Sequence, residues 1–176
     1  TGQGGAIAIR SEEIYNQLKQ IRSHGVDDVI NVTYARMGFN FRITDLQSAI
    51  GLSQLAKVEQ RLLSLNQVYS RYESAMGRFP FLKLIPVNVS QGEVPLYVEV
   101  LCEERKRLID FLAVHEIQAR PFYPDLNFAE YLESLGDFPH ARIFGEQGLV
   151  LPCGPEQPLH KVERVIDALQ LYGNTY

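Results

Sequence analysis

Four histidines, His24, His115, His140 and His160, are the side chains best suited to move a proton or hold a metal near neutral pH. None stands at a metal-ligand spacing from another or from a cysteine, so structural or solvated roles are expected and no metal is. The acidic pairs Glu12-Glu13 and Glu103-Glu104 could in principle share acid–base work. Both open segments of helical apolar period, however, where the helix dipole already favours negative charge. The cluster Gly2-Gln3-Gly4-Gly5 lacks the spacing of a nucleotide-phosphate loop, and by itself implies only a tight turn or a close backbone approach. Cys102 and Cys153, the two cysteines, cannot build a disulfide framework or a zinc site. Their apolar surroundings read as buried free thiols in a reducing compartment, so a cytoplasmic location is expected.

Composition narrows the classes further. Among 176 residues, 17 Lys and Arg face 21 Asp and Glu, a net charge of −4 that argues against a nucleic-acid partner. No apolar run approaches the roughly 20 residues of a membrane helix, so no membrane partner is expected. With 45% apolar and 22% charged residues, the chain has the balance of a folded protein. Its first residues show neither an initiator Met nor a signal-peptide profile, and they open in mid-motif, as a piece of a longer protein would.

The elements that must position any site follow from periodicity. Ala6–Ile9 reads as a short buried strand after two glycines. Ser11 then offers an N-cap to a helix with Ile14, Leu18 and Ile21 on one stripe, stopped by Gly25. Val26 to Ile43 has no clear period, and irregular stretches of this length are often functional. Thr44-Asp45-Leu46-Gln47 is a capping box. Behind it Leu46, Ile50, Leu55, Val58, Leu62, Leu65, Tyr69, Tyr72 and Met76 predict one long helix to Gly77, about 45–50 Å in length. Ser90-Gln91-Gly92 is a turn signal. Strands are expected at Leu96–Leu101, Ile117–Tyr123 and Gly148–Pro152. A helix packed through Leu108, Ile109 and Leu112 follows Glu103, with short helices over Phe128–Leu135 and His140–Gln147. A last helix begins near Pro158, with Val162, Val165, Ile166 and Leu169 inward. The expectation is an α/β chain in three parts: 1–43 from a larger layer, a linking helix over 44–77, and a small α/β module over 78–176.

The order of motifs adds a resemblance. Thr1-Gly2-Gln3-Gly4-Gly5-Ala6-Ile7-Ala8, His24-Gly25, the stretch Gly38-Phe39-Asn40-Phe41-Arg42-Ile43-Thr44-Asp45-Leu46-Gln47-Ser48-Ala49 and Gly51-Leu52-Ser53-Gln54-Leu55 occur in sequence. Arg120-Pro121-Phe122-Tyr123-Pro124 and Gly148-Leu149-Val150-Leu151-Pro152 follow. Together they resemble the DegT/DnrJ/EryC1/StrS family of pyridoxal-phosphate (PLP) sugar aminotransferases over essentially the whole chain. The resemblance implies a fold-type I PLP-transferase: the end of the large domain, the linking helix and the small C-terminal domain. It also implies that the lysine forming the internal aldimine lies just before Thr1. None of Lys19, Lys57 or Lys161 matches its position, so no catalytic residue is expected in this chain and the chain alone is expected to be inactive.

By the same resemblance, Asn40 reaches across a homodimer interface to the PLP phosphate of the partner subunit; the other reading is an Asx-turn residue that ends the loop. Arg42 either helps bind phosphate or sugar-nucleotide charge, or pairs with a carboxylate at the interface. Tyr123 and Asn127 fall in the segment that faces substrate in relatives, although relatives carry His where Asn127 stands. Gln3 replaces a usual Glu, and Glu116 a usual Gly at a helix end. The complete enzyme is expected to move an amino group, typically from glutamate, onto a keto-sugar nucleotide. The alternatives are a PLP-dependent sugar dehydratase of the same family, with His in place of the lysine, and a non-catalytic dimerisation or sugar-nucleotide-binding module.

Overall fold

The computed structural model describes residues 2–28, 30, 32–132 and 136–176. Contacts within the chain divide it into two units, residues 1–58 and 59–176.

In the first unit, Ser11 caps α1 (Glu12–Arg22) by accepting from the Ile14 N–H, and Glu12 and Glu13 occupy the first turn. The helix ends three residues before Gly25. Thr44 caps α2 (Asp45–Leu55) through the expected reciprocal pair: the Gln47 N–H donates to Thr44 Oγ1 at 3.3 Å, and the Thr44 N–H to Gln47 Oε1 at 3.0 Å. The strand expected at Ala6–Ile9 does not form; these residues run outside any ladder and Ile7 is exposed. A strand exists only by pairing, and among the described residues of this unit no other strand runs beside it.

The single helix expected over 44–77 is two helices. α2 ends at Leu55 and α3 (Val58–Ala75) begins after Ala56 and Lys57; the Ala56 N–H closes a last α turn onto the Leu52 carbonyl, and the Lys57 N–H a tighter one onto the Gln54 carbonyl. The apolar stripe slips there: Ile50 to Leu55 is a step of five residues, about 140° off the face that steps of three and four maintain. A short 3₁₀ turn, Met76–Arg78, follows α3.

The second unit holds the core. Strands β1 (Lys83–Leu84), β2 (Val98–Leu101), β3 (Arg120–Pro121) and β4 (Gly148–Leu151) form an antiparallel sheet in the order β1-β2-β4-β3. Register places Val98 opposite Leu151 and Val100 opposite Leu149, so these four side chains share the buried face. Against them pack Tyr69 and Tyr72 of α3, Leu108 and Leu112 of α4 (Arg105–Val114), and Val162, Val165, Ile166, Leu169 and Tyr172 of α6 (Leu159–Thr175). The two phenols of α3 are satisfied: Tyr72 Oη donates to the Pro152 carbonyl at 2.9 Å, and Tyr69 Oη accepts from the Val87 N–H at 2.9 Å. Helix α5 (Pro139–Gln147) runs directly into β4. In place of the helix expected at Phe128–Leu135 stands a 3₁₀ turn at Leu126–Phe128; residues 133–135 lie outside those described. The expected strand at Ile117–Tyr123 shrinks to β3, because Pro121 removes a ladder donor.

Candidate functional site

Residues 39–42 alternate apolar with polar. In extended backbone that alternation sends Phe39 and Phe41 to one side and Asn40 and Arg42 to the other. The geometry agrees: the two phenyl rings stack with centroids 4.9 Å apart, and Arg42 Nε donates to Asn40 Oδ1 at 3.0 Å. An arginine can only donate, which fixes the amide with its oxygen toward Arg42 and leaves Nδ2 outward. Both side chains are exposed, and among the described residues neither Nδ2 of Asn40 nor the Nη atoms of Arg42 have a protein partner. The result is a positively charged pair on an extended segment, with the Asn40 Nδ2 and Arg42 Nη donors outward. Such a pair fits an anionic oxygen group, as a phosphate is.

The segment is strapped to the end of α1. The Phe39 N–H donates to the Ile21 carbonyl at 2.7 Å, the His24 N–H to the Phe39 carbonyl at 2.8 Å and the Phe41 N–H to the Arg22 carbonyl at 3.0 Å. Ser23 and Asn40 form an antiparallel bridge, and Val26 and Tyr34 a second. Sequence periodicity missed this strap. Its visible signals were the alternation after Gly38 and the glycines at 25 and 38, which bound the irregular stretch.

Tyr123 and Asn127 belong to the other unit. Beyond β3 the Phe122 N–H donates to the Gly148 carbonyl at 2.9 Å, and the Phe122 ring lies parallel to Phe144 at 6.2 Å. Gly148 leaves room for it: a Cβ there would come within 2.4 Å of the Phe122 ring. With Phe122 turned inward, Tyr123 turns out and is 93% exposed. Asn127 sits half-buried in the 3₁₀ turn, and its amide has no hydrogen-bond partner among the described residues. The structure thus brings Asn40 and Arg42 into contact, and places Tyr123 and Asn127 on one short loop.

His115 Nδ1 bonds the Phe111 carbonyl at 2.9 Å while its ring lies tilted against Phe111, centroids 4.3 Å apart. His140 and His160 lie in the first turns of α5 and α6. Burial pushes the thiols of Cys102 and Cys153 up from the ordinary range, so both are free but weakly nucleophilic. Glu163, paired with Arg71, is held below the usual carboxylate range by that hydrogen bond. No group of acidic, His and Cys side chains among the described residues could hold a metal ion, and no helix among them is long and apolar enough to cross a membrane. A surface groove of about 450 Å³ between α4 and α6, lined by His115, Glu116, Arg164 and Leu171 among others, contains none of the four expected site residues.

Comparison with known proteins supplies the context for the donor pair. The chain is 28% identical over 177 residues to a GDP-perosamine synthase of Caulobacter vibrioides, covering 96% of this chain and 48% of that protein. It is 26% identical over 180 residues to the UDP-4-amino-4,6-dideoxy-N-acetyl-beta-L-altrosamine transaminase of Campylobacter jejuni, with the same coverage. It also superposes on S. venezuelae DesV with a TM-score of 0.82 at 24% identity, over 93% of this chain and 45% of that one. The chain therefore spans about half the length of the relatives it matches, and its fold is that of part of a fold-type I aminotransferase. PLP is the cofactor of that family. The family model for these aminotransferases matches residues 1–170, and the chain belongs to the DegT/DnrJ/EryC1/StrS aminotransferase family.

Proposed function

We propose that this chain supplies the phosphate-contacting loop and the small domain of an aminotransferase that transfers an amino group, from a donor such as glutamate, to a keto-sugar nucleotide. In this reading residues 1–43 belong to the large PLP domain and residues 78–176 form the small domain. The sugar-nucleotide substrate class is supported by the names of the two relatives above, a GDP-sugar synthase and a UDP-sugar transaminase. The observation that carries the reading is the positively charged Asn40–Arg42 pair, its free donors outward on a strapped segment.

When bound, PLP supplies the electron sink that lets an amino group change carbon. This chain's part is to hold it. Asn40 Nδ2 donates to a phosphate oxygen, and Arg42 locks the amide through Nε while its Nη atoms add positive charge. Stacked Phe39 and Phe41 stiffen the backbone behind them. Because the pair points outward, its phosphate belongs to a neighbouring protomer in this reading, and the enzyme works as a homodimer. Tyr123, fully out on its loop, and Asn127, with a free amide, offer stacking and hydrogen-bonding groups to the sugar nucleotide.

The test is made in the complete protein. Asn40→Ala removes a hydrogen bond to a charged group, worth about 1.5–3 kcal/mol. The apoenzyme should then bind PLP roughly tenfold to a hundredfold more weakly in an absorbance titration. An unaltered dissociation constant would refute the assignment.

A further inference from the structure

Among the described residues of 1–58, Gly25 is the only buried one. A Cβ on Gly25 would lie 1.8 Å from the Arg36 carbonyl oxygen, and one on Gly38 would lie 2.0 Å from the Gly25 nitrogen. The two segments thus touch backbone to backbone, at a distance no other residue type permits. Both residues at the turn adopt left-handed backbone: His24 has φ 61° and Gly25 has φ 76°. That pair of angles reverses the chain at the end of α1. It brings the His24 N–H to the Phe39 carbonyl and lets Ser23 pair with Asn40. Left-handed backbone is costly for a residue with a Cβ, and nothing in α1 itself requires it.

We propose that His24, Gly25 and Gly38 form a backbone latch that positions the Asn40–Arg42 donor pair on its phosphate group. The proposal rests on the Asn40 reading above, and it assigns these residues as positioning residues. His24 is exposed, and in this proposal its contribution is the backbone angle and the N–H. Asn40 lies in the middle of the strap, with hydrogen bonds from its neighbours on both sides running to α1. A latch that loosens lets the amide leave the orientation Arg42 gives it, and its donors then spread over many directions instead of one.

The two His24 substitutions separate backbone from side chain, since both remove the imidazole. His24→Gly keeps the left-handed angle without penalty, whereas His24→Val opposes it with a β-branched side chain. In the complete protein, PLP affinity is titrated on the apoenzyme, and inorganic phosphate is titrated as a competing probe. His24→Gly should stay within about twofold of the parent for both ligands, and His24→Val should weaken both about tenfold. On an Asn40→Ala background, His24→Val should weaken PLP no further, because a positioning residue has nothing left to position. Equal losses for His24→Gly and His24→Val would overturn the latch, and so would losses that add to that of Asn40→Ala. A neutral His24→Val beside a damaging Asn40→Ala overturns the latch and spares the phosphate reading; a neutral Asn40→Ala overturns both. If His24→Val does not fold, His24→Ala carries the same comparison with a smaller expected loss.

Discussion

Glu116 follows α4 at φ 60°, a conformation that glycine adopts without cost. Around it the helix end is a complete Schellman arrangement. The Ile117 N–H donates to the Leu112 carbonyl at 2.9 Å and the Glu116 N–H to the Ala113 carbonyl at 3.0 Å, while Ile117 and Leu112 are buried in the core. Relatives are expected to carry Gly here, and the structure shows what a side chain does instead. Glu116 Oε2 accepts from Arg164 at 3.0 Å, and the same guanidinium donates to the His115 carbonyl at 2.8 Å. The carboxylate is exposed, so the ion pair offsets little of the backbone cost. Two substitutions weigh this directly. Glu116→Gly and Glu116→Ala both lose the carboxylate and keep the Arg164–His115 bond; only Ala keeps a Cβ at positive φ. Glu116→Gly should be more stable than Glu116→Ala by about 1 kcal/mol, a melting-temperature difference of about 2–4 °C. Equal melting temperatures would mean that the left-handed angle at 116 carries no strain.

At the scale of elements, local signals were legible and non-local ones were not. The Thr44–Gln47 box was readable because all its partners lie within four residues, and the structure reproduces both of its bonds. The inward faces of α4 and α6 were readable because a sustained period of three and four is itself a statement about burial. Ala6–Ile9 read as a strand on composition, yet pairing depends on a neighbour that composition cannot name. The break between α2 and α3 is foreshadowed by the slip from Ile50 to Leu55, but the apolar period that resumes at Val58 makes the stretch read as continuous. Asn40 and Arg42 came from the family resemblance, and their contact came from the structure, because two polar residues in an aperiodic stretch carry no chemical signature. Helix α2 buries no residue within this chain, so its stability leans on its cap. Thr44→Ala should cost about 1 kcal/mol, which speeds amide exchange across α2 about fivefold and leaves α4 and α6 unaltered. Exchange in α2 that ignores the substitution would show that contacts outside the helix, and not the capping box, set its stability.

For the whole chain, the two units differ in what holds each of them. The cluster of buried side chains runs from Val68 to Tyr172 and lies wholly within residues 59–176. That unit has sheet, helices and core in mutual support, the condition for cooperative protection. The described residues of 1–58 include two helices with no buried side chain; backbone hydrogen bonds tie residues 39–41 to the end of α1, and Gly25 packs against the backbone of Arg36 and Gly38. Ile14, Tyr15, Phe41, Leu46, Leu52 and Leu55 stay at least half exposed there. Apolar surface on this scale stabilises a structure only when something covers it, at roughly 25 cal/mol per Å² removed from water. Hydrogen exchange on the 176-residue chain should therefore divide near residue 58. Amides of β2, β4, α4 and α6 should exchange together, at the free energy of global unfolding, while those of α1 and α2 should exchange through local opening at much lower cost. In the complete protein, α1 and α2 should gain protection as their exposed faces are covered, whereas the unit from residue 59 should gain little. Strong, uniform protection of residues 12–22 and 98–172 in a 176-residue chain shown to be monomeric would contradict this division. It would mean that the strap at Asn40 suffices to hold the first unit without a core of its own.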